Sequence, residues 1–143
     1  MTGEFALAVH ALVYLNHKQT TLSSENLAEN ICTNPARVRK VMAMLKKAEL
    51  ISTHEGGGGG YTFLLDPASV TLRSVAEAIG ARFVSSAWRS GDADMECLVA
   101  SGMADIMDHI YEDLDVRCKE RLDGITILDI DRMIFGDAYQ NKD

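Results

Sequence analysis

Apolar positions recur at helical spacing along most of the chain, broken once by a Gly-rich hairpin pattern. Over residues 5–15, Phe5, Ala8, Val9, Leu12 and Leu15 repeat at i, i+3, i+4 and i+7, the stripe of a half-buried helix. Residues 16–21 are a polar connection. Ser23 or Ser24 suits the cap of a second helix, 25–31, with Leu27, Ala28 and Ile31 inward. Asn34 then offers a side-chain oxygen to a new helix. Pro35 suits its first position, where the missing N–H costs nothing. That helix, 35–47, places Val38, Val41, Met42 and Leu45 on one face and Arg37, Lys40, Met44 and Lys47 on the other, flanked by Arg39 and Lys46. Strands over 50–52 and 61–65, joined by a turn holding five consecutive glycines, predict a hairpin. Thr71 caps a fourth helix, 72–79.

The second half differs. Residues 81–96 are small, polar and irregular and contain Trp88, the pattern of a mobile connection. Val99, Met103, Ile106, Met107, Ile110, Leu114, Cys118 and Leu122 predict a long helix over 99–123, stopped at Gly124. At the standard rise it runs about 37 Å, more than a small domain needs. Its apolar stripe is therefore expected to pack on a second copy. Thr126 caps a last helix, 127–135, and the chain is expected to fray from Gly136. The fold class expected is mainly α with a small β-hairpin. Residues 1–80 form a winged helix-turn-helix, and 81–143 hold the connection, the dimerisation helix and a short terminal helix.

Charge sharpens this picture. The 143-residue chain carries a net −7, which by itself disfavours nucleic acid. Its distribution reverses that, because residues 31–47 hold five basic side chains and no acidic one, whereas 83–143 hold 14 acidic and 6 basic. A local patch decides what can dock. In a helix-turn-helix, helix 25–31 would brace and helix 35–47 would enter the major groove. Thr33, Asn34, Ala36 and Arg37 sit at the reading end, with Ser24 at the front of the bracing helix. Arg37 suits a guanine or a phosphate, and Arg39, Lys40 and Lys47 suit phosphates. In the wing, His54, Gly57 and Gly58 would skirt the backbone. A loose turn without contact is an equal alternative, since glycine carries no charge.

Other classes are disfavoured. No apolar run is long enough to cross a bilayer, and residues 1–8 lack a basic leader, so a cytoplasmic protein is expected. The glycine run lacks the Lys-Ser/Thr end of a phosphate loop. No nucleophile–base pair or carboxylate dyad marks an enzyme. Cys32, Cys97 and Cys118 lie far apart, which predicts neither a disulfide framework nor a metal cofactor. His10 and His17, seven apart, should share a face of the first helix.

The segments LAENICTNPARVRKVMAMLKKAELI and GGGGGYTFLLDPASVTLRSVAEAI, with EFALAVHALVYL before them, resemble the Rrf-two family of bacterial regulators. That family includes the iron–sulfur cluster regulator, the nitric-oxide-sensing repressor and the cysteine-metabolism repressor. The resemblance implies a homodimeric winged-helix repressor on a palindromic promoter site. Cluster-holding members use three closely spaced cysteines before the long helix, where this chain has Cys97 alone. Asp92, Asp94 and Glu96 are poor substitutes, so no cluster is expected. Some members place an arginine in the wing, where this chain has Glu55. The cysteines then suggest a thiol switch, in which oxidation joins Cys32 of one subunit to Cys97 of the other and alters half-site spacing. Thiol sensing within the family favours this reading. The alternative is two buried, unreactive fillers, the role expected of Cys118. Trp88 could line an effector pocket or anchor the connection. The rival readings are a protein-interaction winged helix and a regulator switched by a cluster or small molecule.

Overall fold

The structure, a computed structural model, describes residues 3–136. Its elements in order are α1 (Glu4–Lys18), α2 (Ser24–Ile31), α3 (Pro35–Lys47), β1 (Ser52–His54), β2 (Gly60–Thr62), a 3-10 turn (Pro67–Ser69), α4 (Leu72–Ala78), α5 (Leu98–Leu122) and α6 (Ile127–Phe135). This is the helical fold with one antiparallel hairpin that the pattern predicts. The expected fraying beyond Gly136 lies outside the described residues.

The caps explain the boundaries. Ser23 accepts from the Asn26 N–H while the Asn26 side chain accepts from the Ser23 N–H, a reciprocal box that starts α2. Asn34 accepts from the Arg37 N–H at 2.8 Å, with Pro35 next. Thr71 and Thr126 cap α4 and α6 in the same way.

One apolar core joins these elements. Leu12 and Leu15 of α1, Leu27 of α2, Val38, Val41, Met42 and Leu45 of α3, Val75 of α4 and Ile127 of α6 are essentially inaccessible. The helix α6 returns onto α1, where the buried Asn16 amide donates to the fully buried Asp131 carboxylate. Its entry is fixed by backbone bonds from Leu72 N–H to Ile125 O at 2.8 Å and from Ile127 N–H to Val70 O at 3.0 Å.

The hairpin is shorter than its sequence pattern. Leu50 N–H bonds back to Leu45 O, closing α3 through Glu49 in the left-handed region, and Ile51 is buried, so pairing begins only at Ser52. Past Thr62, Phe63 turns into the core, and Leu64 and Leu65 lie exposed and outside the strand. Tyr61 also pairs with Leu22. At Gly60 (φ +151°) a Cβ would strike the Leu22 backbone, so this crossing requires glycine.

The connection 81–96 is irregular, as predicted, but it is tied down rather than loose. Asp115 of α5 accepts the N–H groups of Phe83 and Val84 at 2.6 and 3.1 Å. Arg89 pairs with Asp105 and Asp108 at 2.8 and 2.7 Å. Asp92 N–H bonds to Ala100 O at 3.0 Å, beside Gly91, where a side chain would collide with that carbonyl. No apolar periodicity marks these ties, because they run between polar groups: backbone N–H and C=O, carboxylates and the Arg89 guanidinium.

Candidate nucleic-acid interface

The two helices of the expected helix-turn-helix, α2 and α3, form as their sequences require. Burial of Leu27 and Ala28 in α2 against Val38, Val41 and Met42 in α3 turns Ala36, Arg37, Arg39, Lys40, Ala43, Lys46 and Lys47 to solvent. Thr33 is half-buried, and the Asn34 oxygen is committed to its cap.

The cations on this face are not equivalent. Lys40 pairs with Glu4 at the start of α1, with N–O 2.8 Å. Arg39 donates to the Ser24 hydroxyl at 3.2 Å and faces Glu25 at 3.8 Å. Among the described residues Arg37, Lys46 and Lys47 have no ion pair, although Arg37 lies over Gly3. Ser24 is buried and engaged by Arg39, so its hydroxyl is less accessible than its place at the helix front suggests.

The wing stands beside this face. A recess of about 280 Å³ opens between the start of α2 and the hairpin, lined among others by Ser24, Glu25, His54, Gly59 and Tyr61. Burial pushes the Tyr61 phenol up; Arg39 opposes that and Glu25 adds to it. His54 is exposed and contacts the Thr62 hydroxyl at 3.3 Å. Gly57 and Gly58 stand at the tip with open space around them, and Glu55 precedes them, exposed.

The cysteines differ from one another. Cys32 and Cys97 are both exposed, which removes the buried-filler reading for them, while Cys118 is half-buried. Cys32 closes α2 in the left-handed conformation (φ 64°). Cys97 is the N-cap of α5, and the backbone N–H groups of Ala100 and Val99 hold its thiol below the ordinary value, against a small opposing effect of burial.

Within α5, Asp115 is the buried residue, whereas Val99, Met103, Ile106, Ile110 and Leu114 are exposed. Burial raises the Asp115 carboxyl; the N–H groups of Val84 and Phe83 and the Lys119 ammonium outweigh this and hold it below the usual range. Sequence reasoning missed Asp115, which reads as one more residue of an acidic helix. It also missed the Glu4–Lys40 pair, whose partners lie 36 positions apart. His10 and His17 share a groove, as their spacing predicts, and neither belongs to the α3 face. Trp88 is exposed, at 75%.

A model of the Rrf2 family, described as an iron-dependent transcriptional regulator, matches residues 1–132. The YwnA protein of Bacillus subtilis, which bears the name of an HTH-type transcriptional regulator, is 26% identical over 135 residues, 94% of this chain and 99% of that one. A transcriptional-regulator structure from Lactobacillus plantarum superposes with a TM-score of 0.81 at 21% identity, covering 99% of this chain and 95% of the other. The structure of CymR of B. subtilis, described as a global cysteine regulator, gives a TM-score of 0.62 at 16% identity, covering 100% and 98%. The two structural likenesses show the fold. Iron, named in the family description, lacks a matching donor set: among the described residues no three His, Cys, Asp or Glu side chains come together to hold a metal. Cys97 stands at the N-cap position of α5 without a second thiolate beside it, so the described residues of one chain do not fit iron or a cluster. No described helix is long and apolar enough to cross a membrane. With its helix-turn-helix, hairpin and long helix in the same order, and a family match running through all of them, the chain belongs to the Rrf2 family of transcriptional regulators.

Proposed function

We propose that this chain is a cytoplasmic homodimeric repressor that reads a palindromic promoter site through α3 and is switched by thiol oxidation. The observation that carries the reading is the solvent face of α3, with five cations and no acidic residue over a wholly apolar inner face. Thr33, Asn34, Ala36 and Arg37 stand at the end that meets bases. Arg39, Lys40 and Lys47 meet phosphates, and Ser24, His54, Gly57 and Gly58 flank the backbone. Lys40 and Arg39 exchange their carboxylate partners for phosphate on docking.

The dimer is supported by α5. A 25-residue helix that buries an aspartate and exposes Met103, Ile106, Ile110 and Leu114 has an apolar face without a partner among the described residues of its own chain. A second α5 supplies one. Two such chains place two reading helices on one duplex, which calls for two related half-sites.

The switch joins Cys32 of one subunit to Cys97 of the other. Two thiols lose two protons and two electrons to an oxidant such as hypochlorite and form one S–S bond. Both sulfurs are exposed, and the lowered Cys97 thiol is the better attacking group. Cys32 lies three residues before α3, so a bond there moves the reading helix.

A gel shift on the protein's own upstream DNA tests the reading, with parent, Cys32→Ser and Cys97→Ser chains, reduced and after mild hypochlorite. The reduced parent should bind, the oxidised parent should bind differently, and both variants should ignore the oxidant. Absence of any shift contradicts the regulator, and only unlinked subunits on non-reducing mass spectrometry contradict the switch.

A further inference from the structure

A groove of about 440 Å³ lies between α1 and α6, with Asn30 of α2 and Leu72 of α4 also in its lining. Its walls are Phe5, Val9 and Val13 of α1 and Ile130, Ile134 and Phe135 of α6. At one end His10 Nε2 meets Asn30 Oδ1 at 2.7 Å. At the other the His17 imidazole stacks on the Phe135 ring, with centroids 4.3 Å apart and planes 12° from parallel. No Asp, Glu, Lys or Arg is among the described residues that line it. The described lining therefore offers a charged ligand no ion-pair partner, which favours an uncharged occupant. The volume falls in the range of small-molecule sites, and apolar walls with a few polar groups at the ends are their usual chemistry.

We propose that this groove binds a neutral, flat aromatic molecule carrying one hydrogen-bonding group, and that the molecule acts as an effector. Four rings, those of Phe5, Tyr14, His17 and Phe135, line the groove, and an aromatic lining favours an aromatic ligand. The His10–Asn30 pair provides a donor and an acceptor at the far end. The groove also touches the machinery that holds α3. Phe5 adjoins Glu4, which holds Lys40, and its ring meets Phe83 edge-on with centroids 5.0 Å apart. His10 is bonded to α2, which braces α3. The effector role rests on the repressor reading; the binding site does not.

Calorimetric titration of the full chain with 2-naphthol tests the site. One saturable site per chain is expected. Ala6→Trp and Ile134→Trp replace exposed groove residues with a bulky ring. Both should stay folded by circular dichroism, keep DNA binding and weaken 2-naphthol at least tenfold. His10→Ala should weaken it severalfold. Saturating 2-naphthol should change DNA affinity threefold or more in the parent and leave Ala6→Trp unmoved. The site is overturned by the absence of saturable binding, or by binding that both tryptophan variants retain. Binding without a change in DNA affinity overturns the effector role. If the ligand-free parent binds no DNA, the repressor reading fails while the calorimetry still decides the site.

Discussion

Asp115, the buried residue of helix α5, accepts the backbone N–H of Phe83 at 2.6 Å and so ties the connection to that helix. Phe83 in turn packs edge-on against Phe5 at the start of α1. Asp115→Ala strands two N–H donors and frees Lys119. A loss of about 2–4 kcal/mol is expected, read from urea unfolding. Asp115→Asn keeps an acceptor oxygen and should lose less. Because the folded-state carboxyl is held below its ordinary value, this stabilisation is present above the unfolded carboxylate range. It fades as pH falls through the lower folded value. Parent and Asp115→Ala should therefore differ most at neutral pH and converge in strong acid.

Glu4 restrains Lys40, so removing the carboxylate should favour DNA. Glu4→Gln is expected to tighten binding by about 0.3–1 kcal/mol, the range of an exposed pair, with little effect on folding. Lys47→Ala should weaken binding and lower the slope of log K against log salt by about 0.9 for each phosphate that is no longer neutralised. Arg37→Ala should cost about 1–3 kcal/mol and relax sequence preference if Arg37 contacts a base. Fluorescence anisotropy on labelled duplexes measures all three.

Cys97 should alkylate faster than Cys118 at neutral pH, and its rate should reach half-maximum below the pH of an ordinary thiol. Monobromobimane labelling followed by peptide mass spectrometry gives each rate. Equal rates for the two residues would remove the basis for an activated thiol at the start of α5.

Ile110 is 46% exposed on the apolar row of α5. Ile110→Asp should convert a dimer into a 15.7 kDa monomer in sedimentation equilibrium while leaving the helical spectrum intact. Apparent DNA affinity should fall by about 10²-fold or more, because two linked half-site contacts become one.

Local chemistry made much of the fold readable. Asn34-Pro35 marks the start of α3 and Thr126 the start of α6, since a cap is a contact over three residues. The hairpin was readable as a hairpin but not in length, because burial of Ile51 and Phe63 overrides strand pairing at its base. Long-range polar contacts left no trace in the pattern. Asn16 and Asp131 meet across 115 positions, and Asp115 reaches Phe83 across 32. The cations of α3 were legible as a set. Which of them carry carboxylate partners depends on how α1 and α2 pack, and no spacing rule within α3 reports that.

The central claim is that α3 presents its cations to DNA from a dimer. The most direct measurement is anisotropy of a duplex from the protein's own upstream region, titrated from 50 to 200 mM salt. With six or more phosphates neutralised by the two subunits, affinity should fall by about 10³-fold or more across that range. It should saturate at two chains per duplex. Affinity unchanged by salt, or no binding at the lowest salt, would contradict the account.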